Sequence, residues 1–273
     1  MRTSFCALLL CMSTLAGPCL GNTFVIQVNY SGDPTYQSAF DDAATMWTGL
    51  IAGYQNGVVT SRTFGSSYNI GQTVGTLFID ASVAPIDGVG GVLGSAGPDQ
   101  RITDQAGFVL ATDGTMNFDS ADILNLFNSG RLSAVIAHEM AHVMGFGTLW
   151  TNNGVYVNGS GEFTGAAATA KWHSEFGQTG TPNVELGGGP GTANGHWDEV
   201  DGGGGSTGIL DPLGRDMRLE LMTGWIGSTS FVSEMTVASF VDIGFVAVPE
   251  PLSSLAILAL VPYFVTRRQR VAR

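Results

Sequence analysis

The stretch Ala134–Trp150, AVIAHEMAHVMGFGTLW, decides how this chain is read. His138 and His142 are four residues apart, so on a helix they share one face and both imidazoles can reach a single metal ion. Glu139, beside the first histidine, points toward the same place and can take a proton from a metal-bound water. Neutral imidazole suits zinc, and a catalytic zinc keeps three protein ligands plus an open position. The competing reading is a core helix that carries two histidines by chance. Leu132, Val135, Ile136, Met140, Val143 and Met144 supply the apolar helical period that either reading needs, and Gly145 ends the helix. The glutamate set between the histidines favours the zinc reading.

Composition bounds the setting. The chain has 273 residues, 39 of them glycine, and only 12% are charged, so loops are many and the surface is lightly charged. Residues 1–21 carry Arg2, an apolar run Phe5–Leu15 and then small residues, which reads as a secretory signal peptide too short for a stable membrane span. Cys6, Cys11 and Cys19 all fall inside it, so the exported protein would hold no disulfide. A lipoprotein reading of Cys19 fails, because Gly17-Pro18 precedes it and Leu20 follows it. Between Asn22 and Pro251 there are 6 basic and 23 acidic residues, a formal charge of −17, which argues against nucleic acid as a partner. Calcium sites or a salty exterior are compatible with that charge, but no residue pattern supports a calcium site.

Residues 248–273 read VPEPLSSLAILALVPYFVTRRQRVAR. The 14 residues of the apolar run Leu252–Val265 span about 21 Å as a helix, short of the roughly 30 Å hydrocarbon core. The arginines behind it favour a cytoplasmic end. This order resembles the PEP-CTERM sorting signal of Gram-negative bacteria, with Pro249-Glu250-Pro251 as the motif. The resemblance implies processing by a membrane exosortase and release to the cell envelope or exopolysaccharide matrix. A plain tail anchor is the alternative.

Between the two ends, residues 22–247 read as one catalytic domain. Strands are expected at 22–29 and 76–83, with short strands at 108–111 and 115–118 around an Asp113-Gly114 turn. A helix is expected over Gln37–Tyr54, with Phe40, Ala44, Trp47, Leu50 and Ile51 on its buried stripe. Asp87–Asp99 reads as a glycine-rich loop. Further helices are expected at Ser120–Phe127 (capped by Asp119 or Ser120), 131–144, Gly165–Phe176 and Glu234–Asp242 (capped by Ser233). The fold class that follows is α+β, with a mixed sheet-and-helix lobe before the motif, a loop-rich lobe after it, and a cleft between them.

Two histidines do not complete a zinc site. In the contiguous metzincin pattern the third ligand falls six residues after the second, here Thr148, a poor zinc ligand. His173 and His196 remain as candidates. His173 sits in a helical segment and reads as a surface or packing residue. His196 sits in the glycine-rich loop Gly191–Val200, which can bring a side chain back to a distant helix.

HEMAHVMGFGTLW (138–150), FTGAAATAKWHSEFG (163–177), GGPGTANGHWDEV (188–200), Glu220-Leu221-Met222-Thr223-Gly224 and EMTVASFVDIGF (234–245) together resemble the leishmanolysin-type metallopeptidases, particularly bacterial ones. In these metzincins an inserted segment separates the second histidine from the third. The resemblance is good over about 114–246 and looser before it. It implies that His138, His142 and His196 bind one zinc, that Glu139 is the general base, and that Met222 is the Met-turn residue packed beneath the metal. This chain departs from relatives rich in cysteine, because none remains after residue 21. It also lacks a tyrosine just after Met222, the next being Tyr263, so no oxyanion helper is identified.

The expected activity is that of a secreted zinc endopeptidase, its polypeptide substrate lying extended along an edge strand. Two rivals share these residues. One is a matrix or adhesion protein that keeps the fold and the zinc without turnover. The other is a zinc amidase acting on peptidoglycan.

Overall fold

The computed structural model describes residues 24–56, 75–200, 205–227 and 229–249. Residues 1–21, expected to be a signal peptide, and 250–273, most of the expected sorting signal, lie outside the described residues. Among the described residues no helix is long and apolar enough to cross a membrane.

The first half of the chain builds one mixed sheet. Strands β1 (Val25–Tyr30), β3 (Thr76–Ala84) and β5 (Val109–Asp119) run parallel, and β4 (Gly94–Thr103) lies antiparallel against β5, giving the order β1-β3-β5-β4. Helix α1 (Gln37–Leu50) packs Phe40, Ala43 and Trp47 inward, as its apolar stripe dictates. It is shorter than expected. Ile51–Tyr54 leave the helix as β2, which pairs with β6 (Phe245–Ala247) from the far end of the domain. Tyr54 then packs on Phe24 and Phe245 and donates to the Ala111 carbonyl. The β6 partner of β2 is almost 200 residues away in the sequence, beyond what local periodicity registers.

Two further expectations are corrected here. Asp113-Gly114 is no turn, since β5 runs straight through it. Gly114 is required by close approach: a Cβ there would lie 2.5 Å from the Gly97 carbonyl oxygen on β4 and 2.4 Å from Val143 on the motif helix. The Gly-rich stretch after Asp87 is a loop only as far as Leu93, and the rest is the edge strand β4. Pro98 lacks an N–H, and the ladder shifts register between Pro98 and Gln100, as a proline on an edge strand permits.

Helix α2 (Ile123–Asn128) starts three residues later than expected; Asp119 instead accepts from Ala121 N before the helix begins. The motif helix α3 (Leu132–Met144) lies against the sheet, and all nine residues from Ile136 to Met144 are buried, as are Leu132 and Val135. Trp47 of α1 donates its indole N–H to the Ala137 carbonyl at 2.8 Å, pinning α1 across it. A helix with no wet face is held by packing, and each large apolar side chain fully buried contributes about 1.5–3 kcal/mol. Beyond α3 the chain is mostly turns and isolated bridges around α4 (Ala166–Phe176) and α5 (Glu234–Asp242). Ser233 caps α5 by accepting from Thr236 N, as the sequence predicts. Phe146, Trp150, Phe163 and Trp197 interlock there, with ring centroids 4.5–5.4 Å apart.

Candidate metal centre

Helix α3 places His138 and His142 one turn apart, both 7% exposed. His196 arrives from the loop before α5 and is equally buried. Three features bring it back. Its neighbour Trp197 sits wholly inside the aromatic cluster and donates its backbone N–H to the Met222 carbonyl. The His196 carbonyl accepts from Glu185 N. Gly147, at φ +71°, lets the turn after α3 press on the Gly195 backbone, where a Cβ would come within 2.4 Å of the carbonyl oxygen.

The three Nε2 atoms then lie 3.0, 3.0 and 3.1 Å from one another. Each ring uses its other nitrogen on a backbone carbonyl. His138 Nδ1 meets Leu221 O at 2.7 Å, His142 Nδ1 meets Phe146 O at 2.9 Å, and His196 Nδ1 meets Thr192 O at 2.8 Å. A carbonyl only accepts, so each Nδ1 carries the proton and each neutral ring turns a bare Nε2 lone pair inward. Burial, and then the neighbouring His196 imidazole, hold His138 down to about 3; burial likewise lowers His142 and His196. Three converging lone pairs without a proton among them repel one another unless a cation lies between them. A tetrahedral zinc with bonds of about 2.0–2.1 Å needs ligand nitrogens about 3.3 Å apart, close to what is seen. The donor set therefore fits zinc, with carbonyl partners of the kind that orient metal-bound imidazoles.

Glu139 is also 7% exposed, and its side chain lies under the first residue of β4, within 3.1 Å of a Cβ built on Gly94. Burial pushes its carboxyl up to about 8; a divalent ion beside it would act in the opposite direction. Thr148 takes no part in the cluster and donates to the His142 carbonyl. His173 is exposed on α4 and meets the Gly180 carbonyl, away from the three histidines. Met222 is fully buried between the two carbonyls that hold His138 and Trp197. Sequence reasoning did not find the carbonyls of Leu221, Phe146 and Thr192. Backbone acceptors leave no mark in residue type, and only the spacing of Phe146 from His142 hints at one.

Such a fold and such a donor set are compatible with a metallopeptidase. The family model described as leishmanolysin matches residues 76–250, well over half of the chain, which therefore belongs to the leishmanolysin family of zinc-dependent metallopeptidases. None of the curated proteins compared with it matches.

Proposed function

We propose that this protein is an exported zinc endopeptidase in which His138, His142 and His196 hold the metal and Glu139 is the general base. The observation that carries this is the convergence of three unprotonated Nε2 atoms, with Glu139 next to His138 on the same buried helix. Zinc, when bound, supplies the Lewis acidity that polarises the scissile carbonyl and makes water a nucleophile near neutral pH. Glu139 takes a proton from the attacking water as the new C–O bond forms. It returns that proton to the amine as the C–N bond breaks.

The substrate in this reading is an extended peptide that hydrogen-bonds to β4. β4 is the sheet edge on the side of α3, and Gly94 offers no side chain between such a peptide and Glu139. Export rests on residues 1–21, and sorting to the envelope of a Gram-negative bacterium rests on the PEP-CTERM-like end. Both are read from the sequence.

Metal analysis and a digest test the reading together. His196→Ala should lose stoichiometric zinc, whereas His173→Ala should keep it. Glu139→Gln should keep zinc and fold while cleavage of an unstructured protein falls about 10²–10⁴-fold. Wild type that binds zinc yet cleaves nothing across a broad peptide library would instead establish the non-catalytic matrix role.

A further inference from the structure

Glu220 is 1% exposed, and among the described residues no lysine or arginine pairs with it. Removing a carboxylate from water costs several kcal/mol unless donors replace the solvent. Here four donors do so. Oε2 accepts from Met222 N at 2.6 Å, and Oε1 accepts from Ser233 N and Ser233 Oγ, both at 2.9 Å, and from Thr236 Oγ1 at 2.6 Å. The carboxylate thus ties the Met222 segment to the start of α5.

Where these two ties lead matters more than their number. The N–H of Met222 and the carbonyl of Leu221 belong to one planar trans peptide, so they point in opposite directions and turn together. Glu220 holds the N–H on one side of that plate. On the other side the carbonyl accepts from His138 Nδ1 at 2.7 Å. The second tie runs through the Thr236 hydroxyl, which accepts from the Trp197 indole N–H at 2.8 Å. Trp197 follows His196 directly, and its own N–H is held by the Met222 carbonyl. Two of the three histidines are thereby referred to one buried carboxylate.

We propose that Glu220 is a positioning residue of the metal centre, setting His138 through the Leu221–Met222 peptide and His196 through Thr236 and Trp197. This inference rests on the zinc reading of the three histidines. A simple tether between two loops would need no charge. A carboxylate that accepts at both ends of its fork fixes the peptide plate and, through it, the ring that the metal must meet.

The test is zinc affinity of the full chain, measured by competition with a chromophoric chelator, together with the visible spectrum of the cobalt-substituted protein. In Glu220→Gln the amide keeps the volume, but whichever way it turns its NH2 faces a backbone N–H of Met222 or Ser233. Zinc should bind about 10–100-fold more weakly, the loss usual for outer-shell partners, and the cobalt bands should shift. Thr236→Val, which cuts the indole link and removes one of the four donors to Glu220 but leaves the Met222 tie, should weaken zinc less. Glu175→Gln removes a carboxylate that accepts from Glu234 N and Met235 N at the same end of α5 but outside this relay. It should lower the melting temperature and leave zinc affinity and spectrum unchanged. If Glu220→Gln fails to fold, Thr236→Val decides. Wild-type affinity and spectrum in every variant that folds would overturn the role of Glu220, whereas a wild type that binds no zinc would overturn the zinc reading beneath it.

Discussion

His138 and Glu139 are neighbours in the chain, equally buried, and burial moves them in opposite directions. The imidazole falls to about 3 and the carboxyl rises to about 8, because desolvation disfavours whichever form is charged. Each shift has a sign for stability. A histidine lowered in the fold gives stability that is complete above its ordinary value of 6.5 and is lost as the pH falls toward 3. A glutamate raised in the fold gives stability that is complete below its ordinary value of 4.5 and is lost as the pH rises toward 8. The contribution of Glu139 is isolated by subtracting Glu139→Gln from wild type, both stripped of metal by chelator. Between pH 4.5 and 8 wild type should lose stability relative to the variant, by at most about 1.4 kcal/mol per pH unit. Denaturant unfolding at a series of pH values measures it, and a flat difference would show that the carboxyl is solvated. Zinc should abolish the slope, because the ion opposes the effect of burial.

Elements differ in how plainly the sequence announces them. Helix α5 was legible to the residue, since Ser233 caps it and an apolar stripe runs behind the cap. Helix α3 was legible from its period. β4 was not, because GSAGPDQRIT shows no alternation of apolar and polar residues and carries a proline; its existence depends on β5 being there to pair with. The turn after α3 belongs to this scale too. Gly147 and Gly154 share φ +71°, but a Cβ at Gly154 meets open space, whereas one at Gly147 meets the Gly195 backbone. Gly154→Ala should therefore cost only the left-handed strain, about 1 kcal/mol. Gly147→Ala should cost about 2–3 kcal/mol or more, since backbone cannot move aside as a side chain can. It should also weaken zinc, because Gly195 precedes His196. Equal losses in the two variants, measured by denaturant unfolding, would mean that the contact yields.

For the whole molecule, the catalytic region stands between two segments read only as addresses. If Pro249-Glu250-Pro251 begins a sorting signal, intact-mass analysis of protein recovered from its native host should find Leu252–Arg273 removed. A full-length tail on envelope-bound protein would favour a plain anchor instead. What the sequence determined alone was what spacing and periodicity can carry: an α3 helix bearing two histidines and a glutamate, and a capped α5. The glycine-rich setting of His196 made it the better third candidate without saying how it returns. Only the tertiary structure decided that His196 meets the other two, that each ring is oriented by a backbone carbonyl, and that Glu220 lies behind one of those carbonyls. The reason is physical. Helical neighbours are placed by covalent geometry four residues apart, whereas His196 is placed by Trp197 buried among aromatic rings and by hydrogen bonds between segments distant in the sequence, which exist only once the core has formed.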